Sequence, residues 1–403
     1  MSENESVYRR LCNILPSLRS EYQHYTLQID RNGTITTRLL SEFFTGTLTN
    51  KDSGEVTHIV IKVVPAFSFI KSYEEIYRNE VYLYSQIFDE LNKFQKQKEV
   101  KDPITNLPNY LGGHSSANKE FIVLENLSIA GYKLYHGNEC LTPEHLETIF
   151  KTYARFHALS FVYKHEYPDR FQQMANELVD IVKLLNGKEL AQPIATAYSA
   201  AVNSFNAAAD AEIIKKLRDV SNIREVAATG RAYDGDYACL IHGNCSMNNL
   251  MFKYSKSGDL EHIKMIDFQL AYISTPVHDL SYIFYSGASK ADMDKLDYYL
   301  DLYYNTFASF VLELGANPKE IYPYEALKSE WKKYSVIGIA FGIIGWVKKL
   351  MNRDEVVNMY NQNMPRDIRI DSFRRQMLEI CNGKPFTEQA NAICRHAVEY
   401  GIF

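Results

Sequence analysis

An amide oxygen and a carboxylate brought to one place by the chain make a seat for a hard divalent cation. Asn249 and Asp267 are such a pair. Between them lie two apolar runs, residues 250–254 (LMFKY) and 262–266 (HIKMI), around a polar turn at 255–261 that contains Gly258 and Asp259. This pattern predicts a β-hairpin. Pairing Leu250 with Ile266 makes Asn249 and Asp267 the next residues outward, facing each other at the hairpin mouth. Two protein oxygens suit Mg²⁺, which takes few protein ligands and shares its shell with substrate phosphates. Just upstream runs His242-Gly243-Asn244, and far upstream Lys62 interrupts an apolar strand, His58-Ile-Val-Ile-Lys62-Val-Val. A lysine inside such a strand is costly unless it is paired. Glu80, on the helix expected next, can pair with it and aim the ammonium at phosphate. Each residue alone has a plain reading: a strand end, a solvated helix, a loop amide, a turn cap. Their joint order points to phosphoryl transfer, a reaction driven by positioning and charge neutralisation.

The elements that must carry these residues follow from periodicity. Residues 26–65 read as a small antiparallel sheet, with strands at 27–29, 34–40, 42–49 and 58–64 separated by Asn32-Gly33 and residues 50–54. A helix is expected over 73–94, a charged connection over 95–108 and a buried strand over 121–125. The texture then turns helical, which sets a lobe boundary at Asn126: an N-lobe over 1–126 and a C-lobe over 127–403. Thr142-Pro143-Glu144 opens a helix, with a threonine cap and proline in its first turn. His157 sits on its apolar face, where a histidine serves as a structural hydrogen-bonder. Further helices are expected over 175–185, 195–209, 211–220, 292–314, 324–351, 370–380 and from 388 to the end, with a short amphipathic one in 1–22 (Val7, Leu11, Leu15, Leu18).

The totals agree with two lobes. The chain has 403 residues, 46% hydrophobic and 23% charged, with a net charge of −5, which excludes a broad nucleic-acid surface. Its six cysteines lack CxxC spacing and fit a reducing compartment. The first residues lack the apolar core of a signal peptide. The longest apolar run, residues 334–347, is too short to span a membrane and reads as a buried helix. Gly338, Gly342 and Gly345 on it let another helix approach closely. The 29 tyrosines fit either core packing or an aromatic-walled pocket for a flat ligand.

Three runs, His242-Gly-Asn-Cys-Ser-Met-Asn-Asn249-Leu-Met-Phe252, Ile266-Asp-Phe-Gln269 and Asp279-Leu-Ser-Tyr282, are joined by Leu124-Glu-Asn-Leu127 and Phe156-His-Ala158. With these the sequence resembles the aminoglycoside-phosphotransferase and choline-kinase group. More closely it resembles the insect ecdysteroid-kinase-like family, also called CHK-kinase-like, over about residues 25–400. The resemblance implies a bilobal protein-kinase-like α+β fold, with a small antiparallel-sheet N-lobe and a larger helical C-lobe. It implies ATP and Mg²⁺ as cofactors. Lys62 would contact the ATP phosphates and be positioned by Glu80. Backbone groups from Glu125 to Leu127 would form a hinge under the adenine. Asn249 and Asp267 would hold Mg²⁺, His242 would brace the catalytic loop, and Asp279 would organise it. Phe156-His157-Ala158 would pack beneath.

Two departures stand out. The family's loop reads His-Gly-Asp, whose carboxylate accepts the proton of the acceptor hydroxyl, and this chain has Asn244 there. An amide is no base near neutral pH, and general-base help is typically about 10² to 10⁴ in rate. The expectations are a slow kinase, a pseudokinase that binds nucleotide or ligand, or a substituted sequence. The nucleotide-covering turn is also plain: Asn32-Gly33-Thr34 stands where the family has a glycine followed by Asn-Tyr-x-Ser, leaving Gly33 and its neighbours to approach phosphate through backbone N–H groups. The expected acceptor is a small lipophilic alcohol, an ecdysteroid or a xenobiotic, and the expected location is the cytoplasm.

Overall fold

The computed structural model describes residues 24–38, 41–64, 73–116, 120–135, 139–184, 188–220, 223, 233–351 and 366–403. The helix expected in 1–22 lies outside them. β-Branched and aromatic residues fill the first described stretch, which forms β1 (Tyr25–Arg38), β2 (Ser41–Asn50) and β3 (Val56–Val63). With β4 (Tyr110–His114) and β5 (Phe121–Glu125) they make an antiparallel sheet of order β1-β2-β3-β5-β4. Asn32-Gly33 does not separate two strands, as the sequence suggested. It lies inside β1, where the pairing with β2 jumps from Ile29↔Gly46 to Thr34↔Phe44. Four residues of β1 are thus left without register partners, an irregularity that a turn-prone dipeptide accommodates without ending the strand.

Strand alternation decides where Lys62 goes. Ile59, Ile61 and Val63 face one side of β3 and join Ile29, Leu48, Leu111, Phe121 and Val123 in one apolar layer. Lys62 is opposite Ile122, which packs with Ile76 and Tyr77 on the other side. That side is covered by α1 (Tyr73–Tyr82), which continues through a π turn at Leu83–Ile87 into α2 (Phe88–Gln97). Lys62 is therefore carried to the helix that bears Glu80.

The remaining chain is mainly helical: α3 (Pro143–Glu166), α4 (Pro168–Glu177), α5 (Ile181–Leu184), α6 (Lys188–Asn203), α7 (Ala211–Asp219), α8 (Val277–Gly287), α9 (Lys290–Met293), α10 (Leu296–Glu313), α11 (Pro318–Ile321), α12 (Tyr324–Tyr334), α13 (Val336–Leu350), α14 (Arg366–Asn382) and α15 (Lys384–Glu399). The helix expected over 324–351 is two, broken at the buried Ser335. Among these helices run β6 (Lys133–Leu134), β7 (Cys239–Ile241), β8 (Leu250–Tyr254), β9 (Leu260–Met265) and β10 (Tyr272–Ser274). β8 and β9 form the expected hairpin, with β6 beside β8, and β7 pairs with β10. The molecule is thus α+β, an antiparallel-sheet part followed by a mainly helical part.

α13 lies directly on α8. A Cβ built on Gly338 would come within 2.5 Å of the Ser281 Cβ, and one on Gly342 within 2.8 Å of the Tyr285 Cβ. The small residues are what allow the two backbones to touch. Tyr153, Tyr163, Tyr285, Tyr299, Tyr303 and Tyr322 are fully buried, so core packing accounts for a good part of the tyrosine content. No helix among the described residues is long and apolar enough to cross a membrane.

Candidate functional site

Lys62 is 3% exposed, and its ammonium meets three acceptors: Glu80 Oε2 at 2.5 Å, Asp267 Oδ1 at 2.6 Å and Gln269 Oε1 at 3.2 Å. An ammonium has three N–H donors, and all three are used. Burial opposes the charge, but Asp267 and Glu80 more than offset it, so the Lys62 pKa rises above the ordinary lysine value. Glu80 is pushed above the usual carboxylate range by burial, against the pull of Lys62.

The hairpin that carries Asp267 is one residue out of the expected register. Leu250 pairs with Met265, not Ile266. The strands also carry a bulge between Lys253 and Tyr254, which nothing in the composition of the turn announces. Asn249 therefore faces Ile266, whose N–H donates to the Asn249 carbonyl at 3.0 Å. A slip of one residue would turn Asp267 to the opposite face, but its backbone is left-handed, φ 71° and ψ 58°. This costs about 1–2 kcal/mol in a residue with a Cβ, and such outliers cluster at functional sites. Past this kink, a single 3₁₀ turn, Phe268–Leu270, sets Gln269 on Lys62. Gln269 closes the Ile266-Asp-Phe-Gln269 run, and the sequence alone gives it no role. A neutral amide carries no charge pattern that would single it out.

The loop after β7 is held by buried groups. Asp279, on α8, accepts the N–H of His242 at 2.7 Å and of Gly243 at 2.9 Å, and His157 Nε2 lies 3.3 Å from it. Burial would raise the Asp279 pKa, but these hydrogen bonds hold it below the usual value. Gly243 has φ +73°, a conformation that glycine adopts freely. The N–H of Asn244 donates to His242 Nδ1 at 3.3 Å, so the proton is on Nε2, which donates to the Ile266 carbonyl at 3.0 Å. Burial keeps His242 below its ordinary pKa. A neutral, tautomer-locked ring thus ties the loop to the strand leading to Asp267. The Asn249 amide N–H donates to the Asn244 carbonyl at 3.0 Å, which puts the Asn249 Oδ1 on the other branch of the amide.

A column of rings crosses the site. Tyr110 stacks on Tyr84 at 5.6 Å, Tyr84 meets Phe268 edge-on at 6.1 Å, and Phe268 lies 4.3 Å from His242. His242 then rests on Asp279 through its backbone N–H.

At the end of β5, the Asn126 N–H bonds the His58 carbonyl at 2.9 Å, which makes that pair the hydrogen-bonded one. Glu125 is opposite Ile59, so its own N–H and C=O face away from β3. The N–H goes to the Asn109 carbonyl at 3.0 Å, and the Leu127 carbonyl accepts from Tyr132 at 3.0 Å. The Glu125 carboxylate takes Asn109 Nδ2 at 2.8 Å and Lys264 Nζ at 3.5 Å, pinning this turn to β9. Gly33 lies in the irregular part of β1, between the Ile29↔Gly46 and Thr34↔Phe44 pairs, and the connection between β1 and β2, residues 39–40, lies outside the described residues.

A sequence model described as the ecdysteroid kinase-like family matches residues 30–316. No curated protein matches the chain. Among solved structures, the chain is similar to choline kinase from Cryptosporidium parvum Iowa II, with 13% identity and a TM-score of 0.38 over 98% of this chain and 95% of that one. It is also similar to APH(2")-IIia in its GDP and kanamycin complex, with 12% identity and a TM-score of 0.41 over 93% of this chain and 97% of that one.

Proposed function

The chain belongs to the ecdysteroid kinase-like family, and from that premise we propose that it is an ATP- and Mg²⁺-dependent phosphotransferase acting on the hydroxyl of a small lipophilic acceptor, an ecdysteroid or a xenobiotic alcohol. The observation that carries this reading is Lys62, ion-paired to both Glu80 and Asp267, residues 18 and 205 positions away in the chain. A core ion pair needs one partner. A buried lysine held in place by two carboxylates from distant parts of the chain suits a polyanionic ligand.

The donor set fits the implied ion. Asp267 and Asn249 offer hard oxygens within one residue of each other across the hairpin mouth, which suits Mg²⁺ completing its shell with phosphate and water. Among the described residues no group of three or more His, Cys, Asp or Glu gathers into a closed cage for another metal. When bound, the ion neutralises charge on the transferring phosphates. Lys62 does the same from the other side and is kept in place by Glu80. The Glu125 C=O and the Leu127 N–H, an acceptor and a donor two residues apart, meet the hydrogen-bonding edge of adenine. Backbone N–H groups around Gly33 cover the phosphates. The lobes divide at Asn126, with 1–126 holding the nucleotide and 127–403 supplying the loop and hairpin. His242 is a positioning residue: it locks the loop that presents Asn244 to the acceptor hydroxyl.

Asn244 has no basic atom, and its side chain orients the hydroxyl without taking its proton. The reaction is slow for that reason, and the same residue favours a second reading, a pseudokinase that binds nucleotide or ligand without transfer. One paired assay separates them. Mg²⁺-dependent ATP binding is measured by thermal shift, and ATP consumption is followed with steroid and alkaloid acceptors, for the native sequence and Asn244→Asp. Turnover by the native protein, rising about 10²- to 10⁴-fold in the Asp variant, supports the slow kinase. Binding with turnover only in the variant supports the pseudokinase. Absence of Mg-ATP binding in both overturns the proposal. We place the protein in the cytoplasm. The cysteines at 140, 239, 245, 381 and 394 are all unpaired, consistent with a reducing compartment.

A further inference from the structure

The three acceptors on Lys62 are not equivalent. Two are carboxylates at 2.5 and 2.6 Å, and the third, Gln269 Oε1, is a neutral amide at 3.2 Å. Charge-assisted hydrogen bonds are shorter and stronger than neutral ones, so the Gln269 bond is the weakest of the three. We propose that Gln269 is a positioning residue that occupies the third N–H of Lys62 in the nucleotide-free protein and yields it to a phosphate oxygen when a nucleotide binds. This rests on the phosphotransferase reading above.

The residue type fits that task. Lys62 is buried, so an apolar side chain at 269 would leave an N–H of a charged group unsatisfied whenever the nucleotide is absent. A carboxylate would satisfy it too well: three negative groups around one ammonium would hold the lysine back and repel phosphate. An amide accepts without adding charge. Its exchange for phosphate removes one neutral bond and leaves both ion pairs intact. Gln269 is itself 4% exposed, and the 3₁₀ turn after the left-handed Asp267 fixes its reach. The acceptor is therefore built into the same short turn as the carboxylate that pairs with Lys62.

The test is a comparison of melting temperatures without nucleotide and with saturating Mg-ATP, together with Mg-ATP affinities, for the native protein, Gln269→Leu and Gln269→Glu. Gln269→Leu should lower the melting temperature of the nucleotide-free protein and leave the nucleotide-bound one much less affected. Its affinity for Mg-ATP should then rise by roughly three- to tenfold, because only the free state loses an interaction. The near-isosteric Gln269→Glu guards against a variant that does not fold. It should melt at or above the native temperature without nucleotide and bind Mg-ATP about tenfold more weakly. Equal loss of stability in both states for the leucine variant, or unchanged affinity in the glutamate variant, overturns the inference and leaves the phosphotransferase reading standing. No shift with Mg-ATP in the native protein overturns both.

Discussion

On the proposed reading, position 244 separates holding a substrate from activating it. The loop around it is tightly specified: its N–H is on His242, its carbonyl is on Asn249, and Asp279 anchors the two residues before it. None of those bonds involves the Asn244 side chain, so the residue there can change chemistry without changing the loop. Asp267 is different, because it is spent on Lys62 and is one of the two oxygens assigned to Mg²⁺. Asp267→Ala should weaken Mg-ATP binding at least about tenfold while Mg²⁺-free ATP binding falls less. A titration with and without the cation reads the difference, and equal affinities for native protein and variant would refute the metal role. Most of this site is legible in the sequence because charge makes it conspicuous. Lys62 in an apolar strand, Glu80 on the next helix and Asp267 after a hairpin all break the local pattern. Gln269 breaks none, and its importance depends on a contact with a residue 207 positions away.

At the level of elements, the hairpin was foreseeable and its register was not. The apolar runs and the polar turn identify two strands, but the bulge at Lys253/Tyr254 depends on how the turn packs. Asp267, just past the hairpin, is left-handed and bonds Lys62 despite the one-residue difference in register. Asn32-Gly33 misled in the other direction: its turn signal is satisfied inside a strand, because β2 continues to pair on both sides of it. The glycine stripe of α13 holds at Gly338 and Gly342, where the helices touch, but not at Gly345, whose Cβ would have ordinary room. It also carries a prediction. A methyl at Gly338 would sit within 2.4 Å of the Ser281 backbone carbon. Neither backbone can yield without moving α8, and α8 carries Asp279. Gly338→Ala should therefore cost about 1–3 kcal/mol, measured by urea unfolding, whereas Gly345→Ala, whose Cβ would find its nearest neighbour at 3.5 Å, should cost much less.

Across the whole molecule, Asp279 links fold stability to pH. Its folded pKa is depressed, so the folded state binds the proton less readily than the unfolded chain. Its contribution is complete above the ordinary carboxylate range near about pH 4 and is lost as pH falls through the folded value. Asp279→Asn should destabilise the protein by about 2–3 kcal/mol at neutral pH and flatten the acid limb of the stability curve below about pH 4. An unchanged acid limb would show that another carboxylate governs it. The order of a sheet part followed by a helical part was readable from periodicity, strand texture first and helical texture after.

The column from Tyr110 through Tyr84, Phe268 and His242 to Asp279 draws each member from a separate segment: β4, the π turn, the turn after Asp267, the loop after β7, and α8. Its members span residues 84 to 279, so any fragment that ends before 279 or begins after 84 lacks at least one of them. The site is consequently all-or-none in assembly. A chain cut between 110 and 242 would leave Tyr84 and Tyr110 on one piece and His242, Phe268 and Asp279 on the other, so the column closes only when the two are joined.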